Sequence, residues 1–280
     1  MAFHADFPEL EPAELVEHLL RRSGQEGEGP TNPASLLDYL KLQFVMVDLA
    51  ALLPDQKKQP RGVLSYGDRI VGVDITLKDH QHRARFTTMH EIGHYVLPNH
   101  QKGLYICDEQ DLSFEAMIEV EKEANAFAAD VLFKGDQFTR EANDCAIGAE
   151  SIQTLAVRYD ASLEAAARRF VGCNAHACSL AVFSRGAGGA VIDTSRPGRW
   201  QHCYTISSAE FRTRYFRRML GEVPADVVKK LVVPGRDFAD SIDEEMTIPA
   251  ASGGEHRLHV SFFTNHHSVF GLIQPAAIGE

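Results

Sequence analysis

Cysteine is scarce in this chain and poorly placed for bridging. The five cysteines, Cys107, Cys145, Cys173, Cys178 and Cys203, are odd in number and widely spaced, and no CxxC pair occurs. That usage fits reduced thiols in a cytoplasmic setting better than a disulfide framework. Long apolar runs are also missing. None approaches the roughly 20 residues needed to cross a bilayer. The first stretch, MAFHADFPELEP, is acidic and has neither a basic region nor an apolar one, so no secretory signal is expected. An excess of positive charge is lacking too. The net charge is -11, which argues against a chain that coats nucleic acid by bulk electrostatics. One basic run, FRTRYFRR (Phe211–Arg218), stands out locally, and a solvated helix face accounts for it more simply than a binding patch. No internal repeat or low-complexity tract is present.

What is present suits a folded chain of two or three domains. The length is 280 residues, with 44% hydrophobic and 24% charged, which is ordinary for a soluble globular protein. PAELVEHLLRR (Pro12–Arg22) reads as a helix with an acidic start and a basic end, as the helix dipole prefers. SGQEGEGPTNP reads as a polar linker, and NPASLLDYLKL begins a second helix with proline in its first turn. FVMVDLAALL reads as a strand or a short buried segment. GVLSYGDRIVGVDI (Gly62–Ile75) has two β-rich runs around a Tyr-Gly-Asp turn and predicts a hairpin. Helices are expected from about Gln81 to Leu97 and from about Ser113 to Phe133.

SIQTLAVRYDASLEAAARRFVG (Ser151–Gly172) reads as two helices joined by a short break, a pattern shared by helix-turn-helix units and plain helical hairpins. Beyond it, CSLAVFS, WQHCYTIS, KKLVVPG, EHRLHVSFFT and VFGLIQ read as strands, with SAEFRTRYFRRML as an intervening helix. The expected fold class is α+β and multidomain. CNAHAC (Cys173–Cys178) contains three soft ligand types, but buried thiols beside a loop histidine are the better account.

The most informative stretch is TTMHEIGHYVLP (Thr87–Pro98). It sets His90 and His94 four residues apart, on one face of a helix, with Glu91 next to the first. The stripe Phe86, His90, Gly93, His94, Leu97 has helical period, so the histidines belong to the buried face. Gly93 leaves room there for another backbone or a substrate. Two buried imidazoles need partners, and one shared metal ion would satisfy both.

A hydrolytic zinc site takes three protein ligands. The following helix, FEAMIEVEKEANAFAADVLF, offers Glu115, Glu119, Glu121 and Glu123. Its apolar face is Met117, Val120, Ala124, Ala128, Val131 and Leu132, and Glu121 falls inside that arc. The other three point away. A carboxylate on an apolar face is costly unless paired or bound to metal, so Glu121 is the expected third ligand. Zinc is the expected ion and Glu91 the general base and acid. Tyr66, Tyr95, Tyr105 and His100 are candidates for a further oxyanion stabiliser, and the sequence does not choose among them. A substrate strand along the edge of the Gly62–Ile75 hairpin would fit the architecture.

FTTMHEIGHYVLPNH, followed by EVEKEANAFAADVLF, resembles the ImmA/IrrE group of bacterial metallopeptidases. The layout of the whole chain is most similar to the radiation- and desiccation-response regulators of that group. The resemblance implies a thermolysin-like peptidase unit over residues 1–140, a helix-turn-helix-like domain over 141–175 and a GAF-like sensor domain over 176–280. It implies His90, His94 and Glu121 as metal ligands and Glu91 as the catalytic residue. It also implies a protein substrate, a helix-turn-helix repressor of DNA-repair genes. Manganese joins zinc as a candidate ion. A small-molecule ligand in the C-terminal domain is a further expectation, although no motif names one. The competing reading is a DNA-binding regulator whose HExxH site is structural.

Overall fold

The chain divides into two compact units, Met1–Gln137 and Phe138–Glu280. The structure, a computed structural model, describes residues 10–54, 60–98, 100, 104–106, 114–184, 200–215, 227, 231, 241–249 and 255–276.

The first unit opens on two helices whose ends follow from their sequences. α1 (Pro12–Arg22) has proline at its start, a reciprocal capping pair between Glu11 and Glu14, and Arg21 and Arg22 in its last turn. α2 (Pro33–Leu40) starts behind Asn32, whose side chain accepts from the Ala34 amide at 3.0 Å, and stops at Lys41 in a left-handed conformation. The stretch between them was expected to be a linker, yet it is tied to the body of the unit. Thr31 Oγ1 donates to the Val131 carbonyl at 2.8 Å, Lys134 Nζ to the Gly27 carbonyl at 2.5 Å, and Arg85 Nη2 to the Thr31 carbonyl at 2.6 Å.

A four-stranded sheet follows, in the order β1 (Gln43–Val47), β3 (Ile70–Asp74), β2 (Gly62–Ser65), β4 (Leu104–Ile106). β1 runs parallel to β3, and the other pairs are antiparallel. β2 and β3 form the expected hairpin. FVMV is a strand, but as an edge strand it leaves Phe44 43% and Val45 39% exposed. A short helix, α3 (Leu49–Leu52), continues from it. Buried Asp74 fixes this corner. Its carboxylate accepts from the Leu49 amide at 3.2 Å, and from both the amide (3.0 Å) and the hydroxyl of Thr76, in the 3-10 turn that ends β3.

α4 (Gln81–Val96) lies on β2 and β3 and packs along α5 (Phe114–Leu132). Burial on α4 exceeds the expected stripe. Phe86 is only half-buried, whereas every residue from Thr88 to Leu97 is buried. The helix is sandwiched between the sheet and α5, so little of its second half faces water. The space left at Gly93 is taken by α5. A Cβ there would stand 2.9 Å from Phe127 Cδ1 and 3.5 Å from Ala124 Cα, so the glycine serves close helix packing rather than substrate.

The second unit takes in most of α6 (Asp136–Asp144), then α7 (Ala149–Arg158) and α8 (Leu163–Cys173). Ser162 caps α8 by accepting from the Ala165 amide at 3.2 Å. A five-stranded antiparallel sheet follows, in the order β6 (Gln201–Ser207), β5 (Ser179–Ser184), β9 (Ser268–Pro275), β8 (Glu255–Thr264), β7 (Ile242–Pro249), with α9 (Ala209–Arg214) after β6. α8 packs against β5 and β6, and α7 against β8. Another cluster gathers Phe183, Trp200, Phe211, Val260 and Phe262, with Ile242 and Met246 of β7 packed against it.

β7 escaped the sequence reading because Asp243, Glu244 and Glu245 interrupt its apolar pattern. The expected strand KKLVVPG lies outside the described residues except for Leu231. In FRTRYFRR, Phe211 turns inward while Arg212 and Arg214 are exposed, and Arg214 pairs with Glu210. The described part is therefore a solvated face, and Phe216–Arg218 lie outside the described residues.

Candidate metal centre

Three side chains from two helices converge. On α4, one helical turn brings the Nε2 atoms of His90 and His94 to 3.0 Å from each other. From α5, Glu121 reaches across with Oε2 3.2 Å from His90 Nε2 and Oε1 3.4 Å from His94 Nε2. Four tetrahedral ligands with bonds of about 2.0–2.1 Å have donor atoms about 3.3 Å apart. The three separations bracket that value, and the donors are two imidazoles and a carboxylate, so the residues present fit zinc. Among the described residues, no other group of three His, Cys, Asp or Glu side chains gathers this way.

Burial and neighbouring groups together set the charge of each residue. Burial lowers the His94 imidazole, and the charges of His90 and His100 add to that. It therefore stays neutral, as a metal ligand must. Burial also acts against a charged His90, but its hydrogen bond to Glu121 and the charge of Glu91 outweigh it. Glu121 is partly buried, which would raise it. Its hydrogen bonds to His90 and His94 hold it well below the usual carboxylate range instead.

Glu91 is 1% exposed. Burial pushes its carboxyl up to about 8, with His90 opposing and the charge of Glu121 adding. Its Oε2 is buried with no hydrogen-bond partner among the described residues. An orphaned carboxylate oxygen beside a ligand cluster suits a group that handles the protons of water and a leaving amine.

Glu91 rests on the start of β2. A Cβ on Gly62 would stand 2.2 Å from Glu91 Oε1 and 2.9 Å from its Cδ. Only glycine leaves room for the carboxylate. The sequence reading missed this role, because nothing local to Gly62 signals that α4 crosses above it.

The remaining candidates separate clearly. Glu119 is exposed and pairs with Lys122 at 2.7 Å. Glu123 is 60% exposed as a side chain and meets His100 Nε2 at 2.8 Å rather than the cluster. His100 itself is fully buried, with Nδ1 3.1 Å from His94 Nδ1, on the ring edge away from the cluster. Tyr95 is buried and lies against Tyr66 with ring centroids 5.0 Å apart. The side chains of Glu115 and Tyr105 lie outside the described residues. In CNAHAC, burial pushes the Cys178 thiol up to about 12 and raises that of Cys173, and His176 is exposed. Cys178 is thus a buried thiol and Cys173 a partly buried one, both beside a loop histidine.

A buried HExxH helix crossed by a second helix that supplies a glutamate, all laid on a small mixed sheet, is a metallopeptidase-type arrangement. Residues 62–171 match the family model described as the IrrE N-terminal-like domain, a match that runs from β2 through α8. The chain therefore carries a domain of the ImmA/IrrE-type family. Among solved structures, it is similar in fold to a Mycobacterium tuberculosis transcriptional regulator, with a TM-score of 0.53 and 14% identity over 98% of this chain and 92% of that one. No curated protein matches it. No helix among the described residues is long and apolar enough to cross a membrane.

Proposed function

We propose that this protein is a metal-dependent, site-specific endopeptidase that acts on a helix-turn-helix transcriptional repressor and so induces DNA-repair and stress-response genes after radiation or desiccation. The observation that carries the reading is the placement of Glu91. It is buried beside His90, His94 and Glu121 with an unpartnered carboxylate oxygen, where a purely structural metal site has no use for it.

His90, His94 and Glu121 are the residues that would hold the ion, with zinc first and manganese second. When bound, it would supply Lewis-acid polarisation of the scissile carbonyl and ease deprotonation of the attacking water. Glu91 then accepts the water proton and delivers it to the leaving amine nitrogen. Its high position in the protein favours holding that proton between the two transfers. The burial of α4 keeps bulk water from competing for the carboxylate. The C-terminal sheet, with the α7–α8 pair as a helix-turn-helix-like domain before it, serves as a GAF-like regulatory domain. A small-molecule ligand there remains part of the proposal.

A second reading is a DNA-binding regulator with a structural metal site. The fold shared with a transcriptional regulator favours it. Against it, α8 has little free surface for a groove. Only Arg168 and Gly172 of that helix are exposed, and Arg168 lies over the Tyr204 ring of β6.

The deciding experiment incubates the purified protein with a candidate repressor and zinc or manganese, beside a Glu91→Gln control. One discrete cut by the wild type alone supports the peptidase. No cut in either sample, with metal bound, together with sequence-selective DNA binding that persists at physiological salt, supports the second reading.

A further inference from the structure

We infer that His100 is a positioning residue for the metal centre, orienting His94 through a buried hydrogen-bond chain that ends on Glu123. The inference rests on the metal-site reading above and adds the group behind it.

The geometry leaves little choice of proton positions. A histidine that ligates through Nε2 keeps its proton on Nδ1. His94 Nδ1 lies 3.1 Å from His100 Nδ1, so that atom of His100 must be the acceptor. The His100 proton then sits on Nε2, 2.8 Å from Glu123 Oε2, which accepts it. The sequence Glu123 to His100 to His94 has one donor and one acceptor at each junction. It turns the Nε2 lone pair of His94 toward His90 and Glu121. Both imidazoles are fully buried, so water does not substitute for the bond between them.

The placement also explains two features the peptidase chemistry leaves unused. His100 follows the end of α4, where Pro98 prevents the helix from continuing. The chain turns there, and the Leu97 carbonyl accepts from the His100 amide at 3.4 Å. Glu123 is on the face of α5 that helix phase assigns to solvent, and it spends its carboxylate on the one buried imidazole within reach. Ligand histidines are commonly held this way, and removing the outer partner costs about 10–100-fold in metal affinity.

The test measures zinc affinity of the full chain by competition with a chromophoric chelator, and the His94 tautomer by the ¹⁵N shifts of its ring. His100→Leu should lose about 10–100-fold in affinity and release the fixed His94 tautomer. His100→Asn places an amide oxygen where Nδ1 stood, so it should recover affinity to within about threefold of wild type. Glu123→Ala, at an exposed position that folding tolerates, should weaken zinc binding by about threefold to tenfold. Wild-type affinity in either His100→Leu or Glu123→Ala overturns the inference, as does an asparagine variant no better than leucine. A wild-type protein that binds neither zinc nor manganese overturns the metal reading itself, a result recognised by all four proteins failing to take metal from the chelator.

Discussion

The two units bury different things. In the first, the buried polar groups include the acidic or basic side chains of Asp74, His90, Glu91, His94, His100 and Lys134. In the second, among the described residues, they are Asn174, Ser179, Ser208, Ser261 and Thr264, all neutral. Neutral amides and hydroxyls are satisfied by local hydrogen bonds. Ser208 Oγ, for example, donates to the His176 carbonyl at 2.8 Å and accepts from the Cys178 and Phe211 amides. Burying imidazoles and carboxylates costs far more, so a fold retains them only where a partner or a ligand offsets the cost. The contrast locates the chemistry in the first unit. In the second, the described part of the sheet packs around residues such as Phe183, Phe263 and Phe270.

The sharpest way to break this contrast is Glu91→Gln. If the proposed peptidase activity holds, cleavage of the candidate substrate should fall by about 10³-fold or more while zinc affinity is kept. The same variant tests the cost of burial. In the metal-free protein, Glu91 has a folded value of about 8 against an ordinary 4.5. The folded state therefore holds its proton more tightly than the unfolded state. That contribution is full below the ordinary value and is lost as pH rises through about 8. Glutamine has no such loss. The metal-free variant should melt higher than wild type at pH 9, and the gap should close toward pH 4. A constant gap across that range would show that the carboxylate is not strained by burial.

The matching change in the second unit is Phe270→Ala. It should cost about 3–5 kcal/mol of stability by leaving a cavity, measured by chemical denaturation, and leave zinc affinity unchanged. If zinc affinity fell with it, the two units would not be separable in the way their buried groups suggest.

Gly62→Ala should come next. The added methyl displaces the Glu91 carboxylate, and a misplacement of about 1 Å costs about 10²-fold in turnover. Zinc binding should hold, because the atoms a Cβ at Gly62 would meet first belong to Glu91 and Thr87 rather than to the three ligands. The smallest effect is expected for Asp74→Asn, about 1–2 kcal/mol from weakened bonds to Leu49 and Thr76. Burial would raise Asp74, but those donors outweigh it and its carboxyl is lowered. Its contribution is thus present above the ordinary value of 3.8 and is lost as pH falls through the lower folded one. The difference between variant and wild type should narrow in acid, as read from thermal melts.

Much of this was written in local pattern. Period alone placed His90 and His94 on one face of α4, and phase on α5 singled out Glu121 from four glutamates, because a helix repeats every 3.6 residues whatever surrounds it. The Gly62–Ile75 hairpin was legible for the same reason, through alternation and a turn. β7 was not, since a strand with three successive acids is recognisable only beside β8, which supplies its hydrogen bonds.

The sequence by itself thus marked the residues of the proposed site: two imidazoles with a glutamate between them on one helix, and a second carboxylate set by phase on the next. Only the tertiary structure decided how they are supported. The seat of Glu91 over Gly62, α5 seated against Gly93, and the chain from His94 through His100 to Glu123 each join residues more than five positions apart in sequence. Side-chain contacts across helices and strands depend on where whole elements pack, and no local periodicity encodes that.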